Sequence, residues 1–267
     1  EGVSHDRFYV ASPVCMPNRA SLMTCRMPSS HGTRSLGIPL NHDSVTFVEL
    51  LANAGYDTCL IGKSHLQNVS DFDIQIEPTK HREGFTAPPE DLNVATRSDL
   101  DNDTYQYERQ AYWDKPDPKV TIPFYGFKEY FAVMRHGFNT GGSHLEWVKK
   151  NAPETLALRG RDKQFDHDFT VPQAIRTKVP EEHYSTTYIA NRAVEWLEAT
   201  RNNNKPFLLM VSFPDPHHPF TPPGKYWDMY KPEDMVVPAA YEADDWDPPE
   251  YVKVAERDRA KDPSLGQ

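Results

Sequence analysis

Residues 46–65, TFVELLANAGYDTCLIGKSH, contain a helix, a stop, a strand and the start of a charged loop. Thr46 with Glu49 three residues on fits a capping box, in which the threonine hydroxyl takes a first-turn N–H. Val48, Leu51 and Ala52 then share one helical face, and Gly55 is a natural helix stop. DTCLIG, residues 57–62, returns as a strand, and Lys63 and His65 follow it directly. A helix that feeds straight into a strand is half of the repeating unit of a parallel α/β sheet.

The same grammar recurs on either side. RFYVAS, residues 7–12, reads as a short strand, and the helix after it has Pro17 in its first turn, where the missing N–H costs nothing. That helix carries Ala20, Leu22 and Met23. Near the other end, Ile189, Ala193, Trp196 and Leu197 mark an amphipathic helix. PFLLMVS, residues 206–212, is the continuous apolar run expected of a buried parallel strand. Between these ends, residues 67–183 are rich in proline, aromatic and charged residues with weak periodicity. They are expected to be an irregular insertion covering a site rather than a second domain. YGFKEYF, residues 125–131, and HLEWVKK, residues 144–150, suggest short ordered pieces inside it.

Composition narrows the function. The chain has 267 residues, 38% hydrophobic, enough for one sizeable core and better suited to one domain than two. A net charge of −10 with no basic arm argues against nucleic acid as a partner. No apolar run approaches the ~20 residues of a membrane helix, and there is no signal-peptide pattern. The three cysteines, Cys15, Cys25 and Cys59, show no CxxC spacing, which argues against a zinc site or redox dithiol.

Each expected strand is followed by chemistry: Cys15 and Arg19 after the first, Lys63 and His65 after the second, Asp215, His217 and His218 after the third. Loops at the carboxyl ends of parallel strands converge on one edge, where such folds bind ligands. Cations gathered locally in an acidic chain imply an anionic substrate group. The helix beginning near Cys15 would turn its free N–H groups towards such an anion. A simple cysteine phosphatase is disfavoured, because its arginine would sit six residues after the cysteine, where this chain has Ser21.

Three motifs carry a family resemblance. CMPNR, residues 15–19, resembles the CxPxR signature of type I sulfatases; GYDTCLIGKSHL, residues 55–66, resembles their GY turn followed by GKxH; and DPHHPFTPP, residues 215–223, resembles their PHxPF loop. All three occur in the family's order. The resemblance implies an alkaline-phosphatase-like α/β sandwich with a mostly parallel central sheet, and hydrolysis of a small-molecule or glycan sulfate ester. It implies that a formylglycine-generating enzyme oxidises Cys15 to formylglycine, reading Pro17 and Arg19. One hydroxyl of the hydrated aldehyde would then attack sulfur and release the alcohol. The other would lose its proton and expel sulfate, restoring the aldehyde. Arg19 would hold the position-15 oxygens, and Lys63 would bind sulfate oxygens and balance developing charge. His65 would remove the proton in the elimination step. His217 would act as general acid to the leaving oxygen, with His218 the second choice. The family's metal is usually calcium, here with the position-15 oxygen as one ligand.

The chain departs from the family at Cys25, in LMTCR, where glycine is usual and a non-glycine left-handed stop costs about 1 kcal/mol. It opens without Met, and the family's paired aspartates and second metal pair find no counterpart, so the sheet and metal site are expected to be incomplete at both ends. Two other readings share these residues: a phosphonate monoester or phosphodiester hydrolase, and a non-catalytic anion-binding relative. Cys25, Cys59, His136 and His144 are read as structural or surface residues, Trp113, Tyr125 and Trp147 as ring-stacking or core residues, and YEADDWDPPEY, residues 241–251, as a solvated acidic segment.

Overall fold

A computed structural model describes residues 2–69, 100, 102–239, 247, 249–250 and 252–254. The middle of the expected insertion, residues 70–99, and most of the acidic segment at 241–251 lie outside the described residues. In chain order the elements are helix α1 (Cys15–Thr24), the single turn α2 (Pro28–His31), helix α3 (Phe47–Asn53), strand β1 (Asp57–Gly62), the short turn α4 (Gln110–Trp113), strand β2 (Glu129–Ala132), helices α5 (Ser143–Asn151) and α6 (Ser185–Thr200), and strand β3 (Phe207–Ser212).

The helix–strand unit at 46–65 forms as its local signals dictate. Thr46 caps α3, its Oγ1 accepting the N–H of Glu49 at 3.1 Å and donating to the Tyr125 carbonyl at 2.8 Å. Gly55 closes the helix with a φ of +94°, a conformation that costs glycine little. β1 is the centre of a three-stranded sheet of order β2-β1-β3, both pairings parallel. Because side chains alternate across a strand, β1 serves two cores. Leu60 packs with Ala20, Met23, Val48, Phe124 and Phe127 on one face. Cys59 and Ile61 pack against Tyr188, Ile189, Ala193 and Trp196 of α6 on the other. The result is an α/β architecture with helices on both faces of a parallel sheet.

Three local expectations are corrected. RFYVAS is not a strand: Phe8, Tyr9 and Val10 are exposed, and no described strand pairs with residues 7–12, so a β-prone sequence has no ladder to join. β3 is parallel, but it is the last described strand of the sheet rather than an interior one; Phe207 is 51% exposed and Val211 37%. Leu197 lies at the margin of the buried face of α6, at 40% exposure, and Leu22 points outward from α1. The middle segment does hold ordered pieces where the aromatic clusters lie, and one of them, β2, is an integral strand of the sheet. Cys25 adopts the left-handed stop after α1 with φ 56°, and Cys59 is fully buried.

Candidate active site

Parallel register places Gly62 opposite both Ala132 and Ser212, so all three strands end on one edge. The residues that follow them, Lys63 to His65, Val133 to His136 and Phe213 to His217, leave from that edge together. Gly62 has φ +112° and lies so close to β3 that a Cβ there would sit 1.9 Å from the Ser212 carbonyl oxygen. That close approach brings the GKxH segment against the start of the third histidine loop.

α1 delivers the first motif. Cys15 is its first residue, and the helix begins after an extended Val14 with no side-chain cap, so the Cys15 and Met16 N–H groups are not satisfied within the helix. One turn on, Arg19 crosses the strand ends: its Nη1 donates to the carbonyls of Lys63 at 2.9 Å and Ser64 at 3.4 Å and to Ser212 Oγ at 3.1 Å. This guanidinium therefore ties β1 to β3. A charged Cys15 thiolate would lie close enough to raise the proton affinity of both Arg19 and Lys63.

Lys63 is buried, and its ammonium donates to His136 Nε2 at 2.7 Å. Burial, and after it the repulsion of Arg19, lowers Lys63 to about 8. Burial and Lys63 together bring His136 down to about 2, so the shared proton stays on lysine and the imidazole accepts. The His136 ring stacks on that of His217 at 3.6 Å with only 5° between planes. His217 in turn donates Nδ1–H to the His218 carbonyl at 2.6 Å, which leaves Nε2 to gain and give a proton. Burial lowers His217 first, with Lys63 and His218 adding repulsion that its bond to the His218 backbone partly offsets. His218 is exposed, and it is the backbone carbonyl, not the ring, that orients its neighbour.

His65 is buried in a left-handed conformation, φ 53°, unusual for a residue with a side chain. Its Nδ1 is buried without a hydrogen-bond partner among the described residues. Burial, followed by the charges of Lys63, Arg19 and His217, pulls it down to about 3, so the ring is neutral and able to accept a proton. The loop is held from behind by Glu108, whose carboxylate accepts the N–H groups of His65, Leu66 and Gln67, each at 2.6 Å, and the Tyr130 hydroxyl at 3.3 Å. Glu108 is fully buried; desolvation pushes its carboxyl up while those N–H groups pull it down.

The structure thus gathers Cys15, Arg19, Lys63, His65 and His217 on one edge. Sequence reasoning missed Glu108 altogether and took His136 for a packing or surface residue. The signal for His136 was available in principle, since it lies four residues past the end of β2 as Lys63 lies one past the end of β1, but a four-residue strand is hard to see before it is paired. His144 is a packing residue, bonded to Thr140 Oγ1 and the His183 carbonyl. Tyr125 belongs to the core, and Trp147 packs beside Tyr188. Among the described residues no group of three or more His, Cys, Asp or Glu is arranged to hold a metal ion, and the carboxylates nearest the site, Glu108 and Asp215, are taken by protein donors. The described residues therefore do not compose a calcium site by themselves.

The chain is 27% identical over 230 residues to the uncharacterized sulfatase YidJ of Escherichia coli, covering 86% of this chain and 34% of that protein. It is 25% identical over 240 residues to an arylsulfatase of Clostridium perfringens, covering 89% of this chain and 40% of that one. The chain thus spans well under half the length of these relatives. The fold is similar to that of the phosphonate monoester hydrolase of Agrobacterium radiobacter, with TM-score 0.52 and 19% identity over 85% of this chain and 36% of that structure. The sulfatase family model matches residues 1–124 and 132–260, and with the three motif loops gathered on one sheet edge the chain belongs to the sulfatase family, of alkaline-phosphatase-like fold.

Proposed function

We propose that this chain holds the nucleophile and anion-binding half of an active site that hydrolyses a sulfate ester, small-molecule or glycan, through a formylglycine made from Cys15 by a formylglycine-generating enzyme. The observation that supports it most is the placement of Cys15 at the open N-terminus of α1, beside Arg19 and a buried lysine ammonium. Hydrated formylglycine would supply two hydroxyls on one carbon, one for attack on sulfur and one for expulsion of sulfate.

The other residues follow from their surroundings. Lys63 below about pH 8 presents a desolvated positive charge to the sulfate oxygens, where electrostatic stabilisation is strongest. Arg19 holds the strand ends and offers its remaining nitrogens to position 15. Neutral His65 accepts a proton from the position-15 hydroxyl. Burial is the main cause that keeps His65 and His217 low; sulfate bound against Lys63 would offset the repulsion that adds to it, and so raise both histidines towards protonation. His217 Nε2, once protonated, gives its proton to the alkoxide as the S–O bond breaks. Calcium remains part of the proposal, with the oxygen at position 15 as one ligand; since that ion takes six to eight oxygens, the 267-residue chain alone is expected neither to bind it at micromolar levels nor to turn over an aryl sulfate.

Mass spectrometry of the Cys15 peptide, from a host that modifies such cysteines, tests the reading. The expected result is the mass loss of thiol-to-aldehyde conversion. In a full-length version, Cys15→Ala is expected to abolish turnover, and Cys15→Ser to attack once and stall as the sulfated enzyme. Steady turnover by the serine variant, or faster turnover of a phosphonate monoester than of an aryl sulfate, would overturn it.

A further inference from the structure

A cavity of about 460 Å³ lies beside the third histidine loop, bounded by Pro216, Phe220, Pro223 and Tyr226 and by the start of α6. Its size falls within the roughly 300–1,000 Å³ of small-molecule sites. α6 runs back from the edge where β3 ends, so its first residues, Tyr184 to Thr187, stand on the catalytic side of the sheet. Thr221, a buried lining residue, is bonded to the Tyr184 hydroxyl at 2.6 Å and packs on Gly137, where a Cβ would lie 2.8 Å from Thr221 Oγ1. Gly137 follows His136, and Pro216 precedes His217. The wall of the cavity is thus continuous along the chain with His217 through Pro216, and it touches the residue next to His136 through Thr221.

The lining has a particular chemistry. Its apolar rings and prolines offer flat faces, and its charged members are the carboxylates Asp215 and Glu181. Asp215 is fixed by the hydroxyls of Tyr184 at 3.2 Å and Thr186 at 2.8 Å. Lys225 pairs with Glu181 at 3.5 Å but is not among the lining residues. A ligand that placed a second anion here would meet two carboxylates and, among the described lining residues, no cation.

We infer that this cavity receives the alcohol half of the ester, and that it takes a flat, uncharged, apolar alcohol bearing a single sulfate rather than a multiply sulfated one. The inference rests on the sulfate reading of Lys63 and His217, and it adds the substrate class that the motifs do not encode. Arg19 and Lys63 hold the sulfate, His217 stands at the leaving oxygen, and the ring beyond that oxygen lies against Phe220 and Tyr226.

The test is an amide NMR titration of the 267-residue chain. The probes are naphthol, naphthyl sulfate, inorganic sulfate and a naphthalene carrying two sulfate esters. Naphthol is expected to move the amides of Thr186, Phe220 and Thr221, and naphthyl sulfate to bind about tenfold tighter than either naphthol or sulfate alone. The doubly sulfated ring is expected to bind about tenfold more weakly than the singly sulfated one. Phe220→Asp and, without added charge, Tyr226→Ala should weaken naphthol, while Tyr226→Ala leaves inorganic sulfate unchanged. Amides that do not move with naphthol, equal binding of the two esters, or variants that bind naphthol as the parent does would each overturn the inference. Inorganic sulfate that leaves Lys63 and His217 unmoved would instead count against the sulfate reading, while naphthol still decides the cavity.

Discussion

Replacing Gly62 by alanine tests how the strand ends build the site. Gly62 holds φ +112°, and an added Cβ would stand 1.9 Å from the Ser212 carbonyl oxygen and 2.8 Å from its carbon. Both atoms are backbone, so no rotamer change relieves the overlap, and β1 must part from β3. The bond from Lys63 N–H to Ser212 O, 2.9 Å long, is the first to be lost. A side chain at positive φ costs about 1–2 kcal/mol, overpacking about 1–3, and the lost bond about 1. Partial relaxation leaves an expected destabilisation of about 4 kcal/mol, and at roughly 2–4 °C per kcal/mol the Tm should fall by about 8–16 °C. Thermal unfolding followed by circular dichroism measures it. In the same variant Lys63 is displaced from His136, so inorganic sulfate should bind more weakly. A Tm within about 2 °C of the parent would mean that β3 yields at little cost and that the close approach does not position Lys63.

Lys63→Met should abolish sulfate binding yet raise stability by roughly 2 kcal/mol, because it removes a buried charge whose pKa is lowered from 10.5 to about 8. The sign follows: a lysine whose folded value lies below its unfolded one destabilises the fold while protonated, so the parent should gain stability between about pH 8 and 10.5 and the methionine variant should not. Sulfate affinity of the parent should fall as the pH rises through that lower value, and a flat profile by calorimetry would remove Lys63 from the anion site. Glu108→Gln leaves an amide donor facing the N–H groups of Leu66 and Gln67, for an expected loss of about 2–4 kcal/mol. Denaturant unfolding within about 0.5 kcal/mol of the parent would show that the carboxylate is not what holds the His65 loop.

What the sequence determined by itself is local. The capping pair Thr46–Glu49, the Gly55 stop, β1 and the buried face of α6 were legible because each is set by contacts within a few residues. The order of Cys15, Lys63 and His217 was legible too, since each trails an apolar run or opens a helix. The tertiary structure decided the rest. RFYVAS has strand composition but no strand to pair with, and the strand state exists only through hydrogen bonds to another segment. PFLLMVS is apolar throughout, yet its exposure depends on what lies beside it in the sheet. His136 meets Lys63 across 73 residues, and Glu108 meets the His65 loop across 43. Neither pairing has a signature in its own neighbourhood, because a parallel sheet aligns strand ends that the chain reaches only after long connections. A lysine or carboxylate acquires its buried, perturbed state when that alignment removes its water.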